Sequence, residues 1–310
     1  MKKKHFVTCC LLILCFLACS IGPQLVEGQG YLPHYASAEW ESYYLQLYAE
    51  RTDENAVLTY ISSCFTYCPM WINDEFTSSE TTSNEVYTAL NSANTNSEIY
   101  AVAWFHTGNG YWTQNATTLL PENFYYYAAN SKSSPIEDEG VYTANQPYGK
   151  EIFTFIWTCV NGDKWLQNGK YIYGYKDSSG AHGMPYAFMG TTGLSLNGYA
   201  SPDSSGICYI GFNGTAKNLS DPYEGVSNCW YYYFTEAFYY YFVTEGQSVN
   251  NALNYGSEML NASQPYFSEN PLYLGYIEKI NQTQFQGMPP TSPGMMTVYG
   301  DGNMYLQLVG

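Results

Sequence analysis

The chain has 310 residues, is 45% hydrophobic and 18% aromatic, and carries only 12% charged residues, which is too apolar for a disordered protein and long enough for one large domain or two small ones. Its formal net charge of -16, from 11 Lys plus Arg against 27 Asp plus Glu, leaves no basic face for nucleic acid or an anionic membrane surface. Of the aromatic residues 34 are Tyr, whose rings bury as apolar groups while their hydroxyls need a partner, so a Tyr-rich core and a Tyr-rich surface are both expected.

At the amino terminus Lys2, Lys3 and Lys4 precede an apolar run from Phe6 to Ile21. A positive start followed by a hydrophobic stretch too short for a permanent span is the form of a secretory signal. Residues 1–28 are assigned to it and residues 29–310 to a single domain. Removal through Ile21 takes away three positive charges and no negative one, moving the chain from -16 to -19. Cleavage falls either after Ala18 or further along, near Glu27 to Gln29. Phe16-Leu17-Ala18-Cys19 is a loose lipobox, which would leave a lipid anchor on Cys19. No second apolar stretch of about 20 residues follows, so no membrane span is expected and the location is extracellular or cell-surface. Five sequons, at Asn115, Asn213, Asn218, Asn261 and Asn281, agree with export and are expected on loops open to glycosylation.

The body alternates β and α signals without an internal repeat. A short apolar run covers Ala56 to Ile61. Asn84 to Ala93 has helical spacing, with Val86, Leu90 and Ala93 on one side. Glu98 to Phe105 is continuous enough for a strand buried on both faces and runs into His106-Thr107-Gly108-Asn109-Gly110. A second such strand, Ile152 to Thr158, runs into Cys159-Val160-Asn161-Gly162-Asp163. Met184 to Gly190 and Ile207 to Phe212 read as two further strands, joined by a loop rich in Ser, Gly, Asn, Asp and Pro. Trp230 to Thr244 is too short, too Tyr-rich and, with Glu236, too polar for a bilayer, and is expected as an aromatic helix on the sheet. A stop at Gly246 and an N-cap at Ser248 predict a last helix to about Leu260.

Five Cys remain beyond the leader: Cys64, Cys68, Cys159, Cys208 and Cys229. In an oxidising compartment an odd count leaves either an intermolecular bridge or a free thiol. The pairing drawn joins Cys64 to Cys68 and Cys208 to Cys229 and leaves Cys159 alone. No Cys-x-x-Cys pair and no His-Glu-x-x-His is present, and Cys64 and Cys68 lack a second pair, so neither metal nor cofactor is expected.

Ligands and catalytic groups gather at the carboxyl ends of parallel strands. Two neighbouring strands ending in His106 and Cys159 would bring an imidazole and a thiol to one edge. A free thiol is only a few per cent thiolate at neutral pH, and a nearby imidazole raises that fraction and later protonates the leaving amine. Gly162 beyond the thiol, with adjacent backbone N–H groups, and Gly108 beyond the imidazole are the expected oxyanion and turn residues. The two reactive residues lie about 50 residues apart with His first, an order and spacing like that of caspases and opposite to papain-like enzymes. The plainer alternative for Cys159 is a small buried hydrophobe at a strand end, and for His106 a hydrogen-bonded imidazole.

Phe155 to Asp163, FIWTCVNGD, resembles the nucleophile segment of gingipain-type cysteine peptidases, and Met296 to Val309 resembles that domain's closing segment, where a strand leads through Gly-Asp-Pro into a last strand. The resemblance implies an α/β, caspase–hemoglobinase-like fold with a mostly parallel central sheet flanked by helices, and peptide-bond hydrolysis by a Cys/His dyad through a thioester. It departs at one position: the family has Gly-His-Gly after the strand preceding the catalytic His, and alignment on Thr107-Gly108 puts Asn109 there. Asn cannot exchange a proton near neutral pH, so the base falls to His106, or to His182 in the loop after the nucleophile strand, or is lost. The expected function is an exported cysteine endopeptidase acting on protein or peptide substrates. The alternative is a catalytically inactive surface module of the same fold that binds peptide or glycan.

Overall fold

Continuous apolar runs and helically spaced ones alternate along the chain, and each finds its place in a layered α/β structure. The computed structural model describes residues 34–40, 48–66, 71–76, 83–96, 102–107, 110–114, 121–127, 135–146, 149–158, 161–162, 165–167, 170–172, 175–176, 180–189, 206–213, 216, 219, 231–262 and 295–306. All fall within the unit Leu32–Gln307. In chain order the elements begin with β1 (His34–Trp40), α1 (Tyr48–Thr66), β2 (Trp71–Phe76), α2 (Ser83–Thr95), β3 (Val102–Thr107), β4 (Gly110–Gln114), β5 (Pro121–Tyr127), β6 (Pro135–Glu137) and α3 (Asp138–Asn145). They continue with β7 (Glu151–Trp157), β8 (Trp165–Gln167), β9 (Lys170–Ile172), β10 (Tyr175–Lys176), β11 (Ala181–His182), α4 (Met184–Met189) and β12 (Cys208–Asn213). Helix α5 (Tyr231–Tyr239) runs into a π-helical turn, Tyr240–Thr244, before α6 (Val249–Ala262) and β13 (Met295–Gly300).

Six strands form the central sheet in the order β13-β12-β7-β3-β1-β2. All neighbours are parallel except β12 and β13. Strands β3 and β7 are buried almost throughout, which explains why their sequences are continuously apolar instead of alternating. Successive side chains go to opposite faces. Ala103, Phe105, Phe153, Phe155 and Trp157 join α1, α5 and α6 in one core, whereas Trp104 and Ile156 join α2, α3 and α4 in the other. The fold is therefore α/β, a mostly parallel sheet with helices on both faces, as the sequence predicts.

The first core is a lattice of rings. Phe105 and Phe155 meet edge to face at 5.7 Å, Phe153 lies 4.5 Å from Phe242, and Trp157 lies 4.8 Å from Phe212. The aromatic stretch from Tyr231 is a helix packed on the sheet as expected, and its π turn brings Phe242 and Val243 into the same core. Gly246, at φ 61°, ends it. Ser248 caps α6, its Oγ accepting the Asn251 N–H at 3.3 Å.

Three expectations are corrected. Met184–Met189 is a helix and not a strand: a six-residue apolar run has no period to tell the two apart, and here Pro185 stands in the first turn, where its missing N–H costs nothing. Of the sequons expected on loops, Asn213 is the last residue of β12 and Asn261 lies in the last turn of α6. Beyond β13, residues Asp301–Leu306 form a turn and an irregular stretch with no second strand among the described residues. The leader, Cys19, and the sequons at Asn115, Asn218 and Asn281 lie outside the described residues. Among the described residues no helix is long and apolar enough to cross a membrane.

Candidate active site

Strands β3 and β7 are direct parallel neighbours, with His106 opposite Ile156 and Thr107 opposite Trp157. The two segments singled out by sequence therefore leave the sheet at the same edge. Beyond Trp157 the chain enters a turn whose described members are Thr158, Asn161 and Gly162; Cys159 itself, with Gly108 and Asn109, lies outside the described residues.

That turn is held from three sides. Thr158 and Asn161 are fully buried, and the Asn161 Nδ2 donates to Thr158 Oγ1. The Gly162 N–H donates to the Phe212 carbonyl at 2.8 Å. Tyr209 Oη donates to the Asn161 carbonyl at 2.6 Å, and Tyr299 Oη donates to the Gly162 carbonyl. Tyr209 and Tyr299 are a cross-strand pair of β12 and β13, with rings 6.2 Å apart, so their hydroxyls reach two consecutive carbonyls. Burial pushes the Tyr209 phenol well above its ordinary value, so it stays protonated and remains a donor.

Two glycines make the approach possible. Tyr209 and Gly211 share a face of β12. A Cβ on Gly211 would come within 2.8 Å of the Tyr209 ring and 3.0 Å of the Gly162 nitrogen. A Cβ on Gly162 would meet the Gly211 backbone at 2.6 Å. With neither present, the turn lies directly on the strand.

This geometry corrects one assignment. The Gly162 N–H is already committed to Phe212, so it cannot serve as an oxyanion donor; Gly162 is a turn and contact residue.

His106 is buried within β3, on the face of Trp104 and Ile156. It is one residue before the end of β3 and opposite Ile156, itself one residue before the end of β7, so it stands close to the carboxyl edge of the sheet. His182 stands elsewhere. It ends the short strand β11, is buried, and precedes Gly183, whose N–H donates to Asp138 Oδ2 at 2.6 Å. Asp138 opens α3, and its Oδ1 also accepts the Glu139 N–H at 3.0 Å. At the other end of α3, Asn145 is tied to Glu151, the first residue of β7, through Asn94. The 182–183 segment is thus held by the start of α3.

The cysteine pairing is also corrected in part. Cys208 is a free thiol facing the first core beside Ile210 and Phe212, and burial, followed by the Asp301 charge, pushes its pKa upward. It lies inside the ring lattice, so the Cys208–Cys229 bridge is not formed. Cys64 is buried on α1, and its expected partner Cys68, like Cys229, lies outside the described residues.

Missed by sequence were Tyr209, Tyr299, Gly211 and Asp138. They act on the turn from strands and a helix distant in the chain, and the one local sign was the close pairing of Tyr and Gly in Tyr209-Ile210-Gly211 and Tyr299-Gly300.

No protein-family model matches the chain, and no curated protein matches it. Among solved structures it is similar to caspase-1 from Spodoptera frugiperda, at 10% identity and a TM-score of 0.42, over 91% of this chain and 99% of that one. It is similar also to a protein from Geobacter sulfurreducens, at 10% identity and a TM-score of 0.40, over 86% of this chain and 94% of that one. The α/β class stands on the sheet order and the two helical layers themselves.

Proposed function

We propose that the chain is an exported cysteine endopeptidase of the gingipain-like, caspase–hemoglobinase type, with Cys159 as nucleophile. One observation carries the reading: β7 leads into Thr158 at the carboxyl edge of a parallel sheet, and two further strands fix Asn161 and Gly162 by hydrogen bonds, the rigid support that a nucleophile requires. The thiolate sulfur bonds to the scissile carbonyl carbon, and the carbon–nitrogen bond breaks as an imidazolium returns a proton to the departing amine. Water, deprotonated by the same imidazole, then cleaves the thioester and restores the thiol. His106, one residue before the end of β3, is assigned as the base, and His182, whose neighbour Gly183 is held by Asp138, is the alternative.

Purified chain is incubated with a mixed fluorogenic peptide library. Turnover abolished by Cys159→Ala supports the reading. A loss of about 100-fold or more in His106→Gln, with His182→Gln retaining activity, supports the choice of base. The reverse pattern transfers that role to His182, and turnover unchanged in Cys159→Ala rejects the peptidase.

A second reading, the inactive surface module, is favoured by Asn109 at the position of the family histidine. Its binding surface would draw on exposed tyrosines such as Tyr233, Tyr255 and Tyr305, of which Tyr255 stacks on Tyr241 at 4.2 Å. It predicts no turnover by correctly folded protein.

A further inference from the structure

We infer that Tyr209 and Tyr299 are positioning residues for the nucleophile, acting through the backbone of the turn that carries Cys159; the inference rests on the peptidase reading above. Neither phenol is attached to β7 or to the turn. They come from β12 and β13, 48 and 137 residues away in the chain from the carbonyls they bind. Their register, Tyr209 opposite Tyr299, places two donors side by side, and the turn offers two consecutive carbonyls, Asn161 and Gly162, to match.

The clamp is closed on its other sides as well. Phe212 O takes the Gly162 N–H at 2.8 Å, and Thr158 Oγ1 takes the Asn161 amide proton. Polar groups of Thr158, Asn161 and Gly162 are therefore all fixed. A six-atom ring and one hydroxyl are more than a core needs to fill space. Two Phe residues would fill the same volume, and their rings would join the same core beside Phe188. The hydroxyls add only orientation of two peptide planes, which matters where an atom must be placed to within a fraction of an ångström.

The test compares the native chain with Tyr209→Phe, Tyr299→Phe and the double variant, each of which keeps its ring in the core. Three quantities are read: the thermal midpoint, the rate of Cys159 alkylation by iodoacetamide from pH 5 to 10 by peptide mapping, and kcat and KM on the best library peptide. Labelling of the buried Cys208 reports whether the core has opened. In the folded single variants, with Cys208 still protected, kcat is expected to fall about 10- to 100-fold with KM within about twofold, and the Cys159 alkylation profile to change. If one variant does not fold, the other single variant carries the test.

Folded variants with the native kcat and the native alkylation profile overturn the inference. So does a loss of activity that merely tracks the fall in thermal midpoint or the exposure of Cys208. The peptidase reading fails separately, by absence of Cys159-dependent turnover in the native chain. In that event a change of the Cys159 profile in the Phe variants still supports the clamp, and an unchanged profile overturns it.

Discussion

Replacing Glu151 by Gln isolates a charge that the fold buries at the amino end of β7. Glu151 is fully enclosed. Its Oε1 accepts from Asn94 Nδ2 at 2.7 Å, while Oε2 has no partner, so ionisation would leave an incompletely solvated negative charge inside the protein. Burial therefore raises its pKa from 4.5 to about 7, against the smaller opposing effects of its hydrogen bonds and of the Lys150 ammonium. At 1.36 kcal/mol per pKa unit, the native state favours the protonated form by about 3 kcal/mol more than the unfolded chain does. The folded pKa lies above the unfolded one, so this stabilisation is complete below pH 4.5, falls as pH rises, and is gone once pH passes about 7. Gln keeps the acceptor and loses the titration. Urea unfolding of both proteins at pH 5, 6, 7 and 8 is the assay. The stability of Glu151→Gln relative to native is expected to rise by about 2–3 kcal/mol from pH 5 to pH 8. A difference that does not vary with pH would refute the reasoning, because the buried carboxyl would then titrate alike in both states.

Gly162→Ala puts a Cβ within 2.6 Å of the Gly211 backbone, where no side chain can swing aside, and is expected to cost about 1–3 kcal/mol in thermal unfolding; a variant as stable as native would show that the turn does not lie on β12. In the folded chain at pH 8, Cys208 is expected to resist iodoacetamide and to label only after denaturation, since burial both shields its sulfur and raises its pKa. Rapid labelling of native Cys208 would contradict its place in the core.

The parallel strands β3 and β7 were legible because burial on both faces demands an unbroken apolar run, and such runs are conspicuous in an Asn-, Ser- and Tyr-rich chain. Helix α2 was legible from Val86, Leu90 and Ala93, which all prove buried. Met184–Met189 was misread for the same reason that β7 was found: an enclosed six-residue helix is as uniformly apolar as an enclosed strand. At the site, the sequence pointed to chemical types and to an edge, since the adjacency of β3 and β7 follows from the parallel-sheet reading. It did not reveal register, which sets His106 opposite Ile156, one residue from the end of each strand.

The tyrosine content shows where composition stops informing. A hydroxyl on a buried ring needs a partner, yet composition cannot say which one. In the structure the answers are specific: Tyr87 Oη accepts the Glu137 N–H at 2.8 Å beside the start of α3, Tyr240 Oη donates to Glu245 across the π turn, and Tyr209 and Tyr299 bind the turn after β7. In the first and last of these cases the ring packs with the second core while the hydroxyl bonds to the backbone of a segment far away in the chain. Leu or Phe would supply the packing alone, so Tyr at these positions couples the burial that stabilises the sheet to the placement of its connecting segments. The segment preceding α3 and the turn that continues β7 are both held this way, which makes the geometry of the candidate site a property of the core and not of the loop sequence around Cys159.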